Sequence, residues 1–137
     1  MRLSFLMPAQ LEAIDPAVVK LRDAVEPFLD AESLLGFETA ASEALTNVVR
    51  HAFDSLTPPS EAKVEVTVYS DQTTVSLELL DQGKPGPADM FATAPQLEDV
   101  DVLAEHGRGL SLIMHYTQSA EYTSGQHGNR LRLGFKI

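Results

Sequence analysis

The chain contains no cysteine, which removes disulfides, thiolate metal sites and cysteine nucleophiles together and agrees with a reducing compartment. Basic residues are scarce, 10 against 20 acidic ones, for a net charge of −10. Nucleic-acid binding needs a positive field to displace condensed counterions, so direct nucleic-acid binding is not expected. Basic protein surfaces and metal-neutralised anions are the natural partners instead. No apolar run approaches the roughly 20 residues of a membrane span. The start, Met1 to Pro8, is too short for a signal-peptide core and has no small-residue cleavage site. No membrane association is expected, and the chain reads as cytoplasmic. His51, His106, His115 and His127 show no HExxH or related ligand spacing, which argues against a structural zinc.

What is present fits one domain, residues 1–137, with its own core. Alternation at Leu3, Phe5 and Met7 predicts a first strand. Asp15-Pro16 reads as an N-cap and first helical position, opening a helix whose apolar side is Val18, Leu21, Val25 and Phe28 and which Pro27 kinks or ends. A break over Asp30 to Gly36 then separates it from a second helix running to about Phe53, stopped by Thr57-Pro58-Pro59. Beyond it the period changes from 3.6 to 2. Val64, Val66 and Val68, then Val75, Leu77 and Leu79, predict a hairpin turning at Ser70 to Thr73. A third helix is expected to follow Gly109, packing through Leu110, Leu112, Ile113 and Tyr116, and strand patterns at 120–123 and 130–137 close the chain. The predicted class is α+β: a two-layer sandwich, helices on one face of a mixed, mostly antiparallel sheet.

Three short patterns carry chemistry. On the second helix, Glu43, Asn47 and His51 recur every four residues and so share one side, while Leu45, Val48, Val49 and Ala52 gather on the other. After the Val75–Leu79 strand, Asp81 precedes Gly83 by two residues. This holds a carboxylate at a sheet end beside backbone that a flat ligand can approach, where it can accept a hydrogen bond from an exocyclic amine such as adenine's. At the third helix, Gly107-Arg108-Gly109 would bring backbone N–H groups and a favourable dipole to a phosphate, with Arg108 adding a charge-assisted contact. Each alone has an ordinary meaning: a solvated helix face, a strand-to-turn Asp-x-Gly, a glycine-rich helix start. No GxGxxG, Walker motif, EF-hand order or nucleophile elbow accompanies them. Between the second and third patterns runs a long Pro- and Gly-punctuated segment, acidic at Glu98, Asp99, Asp101 and Glu105. Its length suits a functional lid, residues 84–107.

The ordered set E-x-x-x-N, D-x-G, long loop, G-x-G-L resembles the nucleotide-binding domain shared by histidine kinases, gyrase, Hsp90 and MutL. The words S-E-A-L-T-N-V-V-R-H-A-F, D-Q-G-K-P and G-R-G-L-S-L-I, with the late G-N-R-L-R-L, are similar to those of the small bacterial anti-sigma-factor serine kinases of the RsbW and SpoIIAB type and span nearly the whole chain. That resemblance implies a histidine-kinase-like ATPase domain binding ATP and Mg2+. By it, Glu43 matches the catalytic base, Asn47 the magnesium ligand, Asp81 the adenine-recognising aspartate with Gly83 beside it, and Gly107 and Gly109 the phosphate-facing glycines. Two positions depart from the wider pattern: Pro85 stands where many relatives have a second glycine, and Asn129 where a threonine often assists adenine binding. The resemblance further implies a serine/threonine protein kinase and anti-sigma factor that phosphorylates an anti-sigma-factor antagonist and regulates transcription by switching partners. The antagonist and a sigma factor would be its partners, and homodimerisation is expected. Two alternatives stand beside it: a noncatalytic ATP-binding switch, which would not need Glu43, and a detached histidine-kinase catalytic domain, which would lack its phosphoacceptor helix.

Overall fold

Alternation along β1 (Arg2–Pro8) turns Leu3, Phe5 and Met7 to one side, and the same parity recurs on β2 (Lys63–Ser70), β3 (Thr74–Asp81) and β5 (Gly128–Lys136). A computed structural model describes residues 1–52, 61–92 and 108–137. With β4 (Ser119–Gly125) the strands form one sheet, ordered β1-β2-β3-β5-β4, and every pairing in it is antiparallel. The parallel component allowed by a mixed sheet is therefore not seen among the described strands. Register aligns the inward residues in rows: Phe5, Val66, Leu79, Leu131 and Tyr122 form one, and Leu3, Val68, Leu77, Leu133 and Ala120 the next.

Among the described residues three α-helices cover that face: α1 (Ile14–Val25), α2 (Ala31–Ala52) and α3 (Arg108–Tyr116). Their buried stripes, Leu21 and Val25 on α1, Phe37 and Leu45 on α2 and Ile113 on α3, meet β2, β3 and β5 in a single core. Ala40, Ala41 and Ala44 are fully buried, and side chains that small let α2 lie close to the sheet. Phe37 and Phe135 meet edge to face with ring centroids 4.9 Å apart. The other face of the sheet is polar: Ser4 and Thr67 hydroxyls are 2.9 Å apart, and Glu78 lies 3.8 Å from Arg132 across the strands. Among the described residues no helix is long and apolar enough to cross a membrane.

Helix ends depart from the sequence reading in instructive ways. Asp15 is not the N-cap of α1; the helix starts at Ile14 after a 3-10 turn at Leu11–Ala13, and Asp15 sits in its first turn. Burial of Ile14 draws the start upstream, and Asp15 there still complements the helix dipole. Pro27 does end α1, at Val25, but the tighter 3-10 turn Glu26–Phe28 swings Phe28 off the apolar stripe and leaves it exposed. The break expected over residues 30–36 is confined to Asp30. Its carboxylate accepts from Ser33 N at 2.8 Å and its carbonyl from Leu34 N at 2.8 Å, capping α2. Gly36 lies inside the helix, where a Cβ would come 2.9 Å from Tyr116 Cδ1, so the glycine serves the crossing of α2 and α3. Phe53, the expected end of α2, lies outside the described residues, as do 93–107 of the expected lid.

Candidate functional site

The side of α2 that faces away from the core forms one wall of a cavity of about 600 Å³, within the size range of small-molecule sites. Helical spacing puts Glu43 and Asn47 one turn apart on that wall, and Arg50 and His51 continue it at the solvent-exposed end. The first turn of α3 closes in opposite: a Cβ on Gly109 would stand 3.0 Å from Glu43 Oε2 and 3.7 Å from Asn47 Nδ2. Neither the Glu43 carboxylate nor the Asn47 amide makes a hydrogen bond within the protein among the described residues. Polar groups that line a cavity can satisfy their hydrogen-bonding capacity through water or a ligand.

The other end of the cavity is set by strand register. Asp81, the last residue of β3, pairs with Asn129 near the start of β5 and is 4% exposed. Asp81 Oδ1 accepts from Gly83 N at 2.9 Å and from Asn129 Nδ2 at 2.8 Å. The Asn129 amide nitrogen also donates to Gly83 O at 2.9 Å. Two acceptors facing one end of the Asn129 amide identify that end as its nitrogen. The clamp spends both amide protons inside the protein and holds Asp81 so that Oδ2 has no hydrogen-bond partner among the described residues. Gly128 makes this register attainable, since its φ of +105° suits glycine alone and a Cβ there would meet the Asp81 carbonyl oxygen.

Gly83 is required for a different reason. It passes the end of α2 so closely that a Cβ would run into the Ala52 carbonyl oxygen and lie 2.8 Å from Ala52 Cβ, while the next residue, Lys84, donates its N–H to that same carbonyl at 2.8 Å. Gly83→Ala must push strand end and helix apart. The expected loss is about 1–3 kcal/mol of folding stability, read from urea denaturation; an unchanged midpoint would contradict the close approach.

Burial pushes the Asp81 carboxyl above its ordinary value of 3.8, against the opposing pull of the Asn129 and Gly83 hydrogen bonds. A raised folded pKa means that ionising this group is harder in the folded state. Its contribution to stability is fully present below 3.8 and is lost as pH rises through the higher folded value. Asn at this position has no such loss. The stability of Asp81→Asn relative to the parent is therefore expected to increase as pH rises from about 3.8 through the raised folded value and then to level off. Melting curves across that range check it, and a difference independent of pH would contradict it.

Structure thus brings Glu43, Asn47, Asp81 and Gly109 to the wall of one cavity, with Gly83 and Asn129 holding Asp81 from behind. Gly107 lies outside the described residues; Arg108 begins α3, but its side chain is likewise outside them. Lys84 and Met90, in the described beginning of the expected lid, also line the cavity, as do Leu131 and Tyr122, which belong to none of the three short patterns. The inward parity of β4 and β5 was the only signal for Leu131 and Tyr122, and it says core as readily as site. An oxygen ligand such as the Asn47 amide suits a hard cation that keeps most of its coordination for phosphates and water, as Mg2+ does. Among the described residues no cluster of three or more His, Cys, Asp or Glu side chains could hold a metal ion.

A family model described as histidine kinase-like ATPase domain matches residues 7–135. No curated protein matches the chain in sequence. Among solved structures, the RsbU and RsbW domains of Rv1364c from Mycobacterium tuberculosis superpose with a TM-score of 0.70 at 18% identity, covering 98% of this chain and 32% of that one. The SiaB–SiaC complex from Pseudomonas aeruginosa superposes with a TM-score of 0.61 at 16% identity, covering 98% of this chain and 89% of that one. The chain therefore spans about a third of the first of these, and at such identities the likeness is one of fold.

Proposed function

Because the chain belongs to the histidine kinase-like ATPase domain family, we propose that it is a Mg-ATP-dependent serine/threonine protein kinase and anti-sigma factor that works by switching partners. The observation that carries the reading is that a carboxylate and an amide, Glu43 and Asn47, with no hydrogen-bond partner among the described residues, stand against Gly109 at one part of a cavity whose wall elsewhere presents Asp81. Asp81 Oδ2 accepts a hydrogen bond from the adenine amine, oriented by Asn129 and Gly83. Backbone N–H groups in the first turn of α3, at Gly109, face the phosphates with the helix dipole behind them. Asn47 offers its amide oxygen to Mg2+, which when bound offsets the charge of the phosphates. Glu43 takes the proton of an incoming serine hydroxyl as the Oγ–phosphorus bond forms and the bond to ADP breaks. Gly107 and Arg108 complete the phosphate turn in this reading.

The substrate would be an anti-sigma-factor antagonist and the competing partner a sigma factor, so that phosphorylation controls transcription in the cytoplasm; a homodimer is the assembly expected. An excess of acidic residues, 20 against 10 basic, suits a basic protein partner. One structural neighbour was solved as a complex of two proteins, SiaB with SiaC, which is in keeping with a fold that works by protein association. The test is affinity capture from native extract with and without Mg-ATP. A captured protein that leaves, or is replaced, when Mg-ATP is added is the expected result; a captured set indifferent to nucleotide would count against switching.

A further inference from the structure

Tyr122 lies on β4 directly across from Leu131, in the inward row that ends at the cavity, and both residues line it. Its phenol oxygen accepts the Gly86 N–H at 2.7 Å. The hydroxyl proton has no acceptor among the described residues. A half-buried tyrosine hydroxyl ordinarily finds a partner, and this one stands beside a cavity from which a ligand would displace water. Once water is displaced, an unmatched O–H opposes binding unless the ligand itself supplies an acceptor.

Position narrows what that acceptor is. Two strand spacings, roughly 10 Å, separate β4 from β3, because β5 lies between them. The backbones of Asp81 and Tyr122 are therefore two strands apart along the cavity floor, and the Tyr122 hydroxyl is anchored at Gly86 N, apart from the Gly83 and Asn129 donors that hold Asp81, so the two meet different edges of a ligand. We propose that Tyr122 is a nucleotide-contacting residue whose O–H donates to an acceptor atom of the nucleoside half of the ligand, purine N3 or N7 or the ribose 2′ oxygen, while its oxygen holds Gly86. The inference rests on the nucleotide reading of the cavity and adds a contact to it.

The two bonds of the hydroxyl reinforce each other. Donation of the proton makes the oxygen a stronger acceptor, so a bound nucleoside tightens the hold on Gly86 N. Gly86 is packed in turn: a Cβ there would stand 2.9 Å from Met90 Cε, and Met90 N donates to Pro87 O at 3.2 Å. Occupancy of the nucleoside site is thereby transmitted to residues 84–92, the described beginning of the segment that leads toward α3.

The experiment is calorimetric titration of the parent and Tyr122→Phe with Mg-ATP, 7-deaza-ATP, 3-deaza-ATP and 2′-deoxy-ATP, with melting curves to verify folding. In the parent, one analogue is expected to bind roughly five- to tenfold more weakly than ATP, because it lacks the acceptor. Which analogue this is distinguishes ring nitrogen from ribose. Tyr122→Phe is expected to bind ATP weaker by a similar factor and to be indifferent to that same analogue. Wild-type affinity in Tyr122→Phe would overturn the contact, as would a parent that discriminates none of the analogues. Weaker binding with the parent's analogue sensitivity retained would assign Tyr122 to holding Gly86 alone and overturn it too. A parent that binds no nucleotide would instead overturn the reading of the cavity on which the contact depends.

Discussion

Asp81→Asn is expected to weaken ATP binding by about 100-fold or more while leaving the fold intact. Gly83 N and Asn129 Nδ2 both point hydrogens at the inner oxygen of this side chain, so an asparagine must place its Oδ1 there. Its Nδ2 is then forced into the position of the present Oδ2, which turns an acceptor into a donor toward the cavity. An adenine amine meeting that donor loses a charge-assisted hydrogen bond of about 1.5–3 kcal/mol, and the two donors oppose each other besides. A total near 3 kcal/mol corresponds to about a hundredfold in affinity. Calorimetry on Mg-ATP measures it directly. Retained affinity would remove Asp81 from base recognition, and a collapsed melting curve would contradict the account of the clamp.

Glu43→Gln is expected to separate chemistry from binding. The glutamine is nearly the same shape and leaves Asn47, Gly109 and Asp81 where they are, but it cannot accept a proton. Phosphotransfer should fall by about 10²–10⁴-fold, the usual worth of a positioned base, whereas ATP affinity should stay within about threefold because the carboxylate has no assigned contact to the nucleotide. Single-turnover transfer of labelled phosphate, read beside nucleotide titration, gives both numbers. Undiminished transfer would dismiss the base. Equal loss of affinity and rate would make Glu43 a binding residue.

Local pattern made part of this site legible and tertiary approach hid the remainder. Glu43 and Asn47 could be read together because helical spacing alone places them on one side. The hairpin of β2 and β3 was legible for a similar reason: alternation and a turn are properties of neighbours in sequence. Gly36 has the local pattern of a break, and its purpose, making room for Tyr116, depends on a residue 80 positions further on. Asn129 looked like a replacement for a base-contacting threonine. Only the register of β3 against β5 reveals that both its amide protons are held by Asp81 and Gly83. Tyr122 is not legible as a site residue, because one inward aromatic on a short edge strand has the pattern of a core residue. The acidic stretch at 98–105 and Gly107 belong to the sequence reading alone, lying outside the described residues.

Local pattern and register agree in placing Glu43, Asn47, Gly109 and Asp81 on the wall of one cavity, and the proposal built on that wall is transfer of phosphate from Mg-ATP to a protein serine. The most direct measurement is incubation with γ-labelled Mg-ATP and the cognate antagonist, followed by identification of the labelled residue. Phosphoserine on the antagonist is the predicted result. Tight ATP binding with no label on any partner would contradict it and leave a nucleotide-gated binding module in its place.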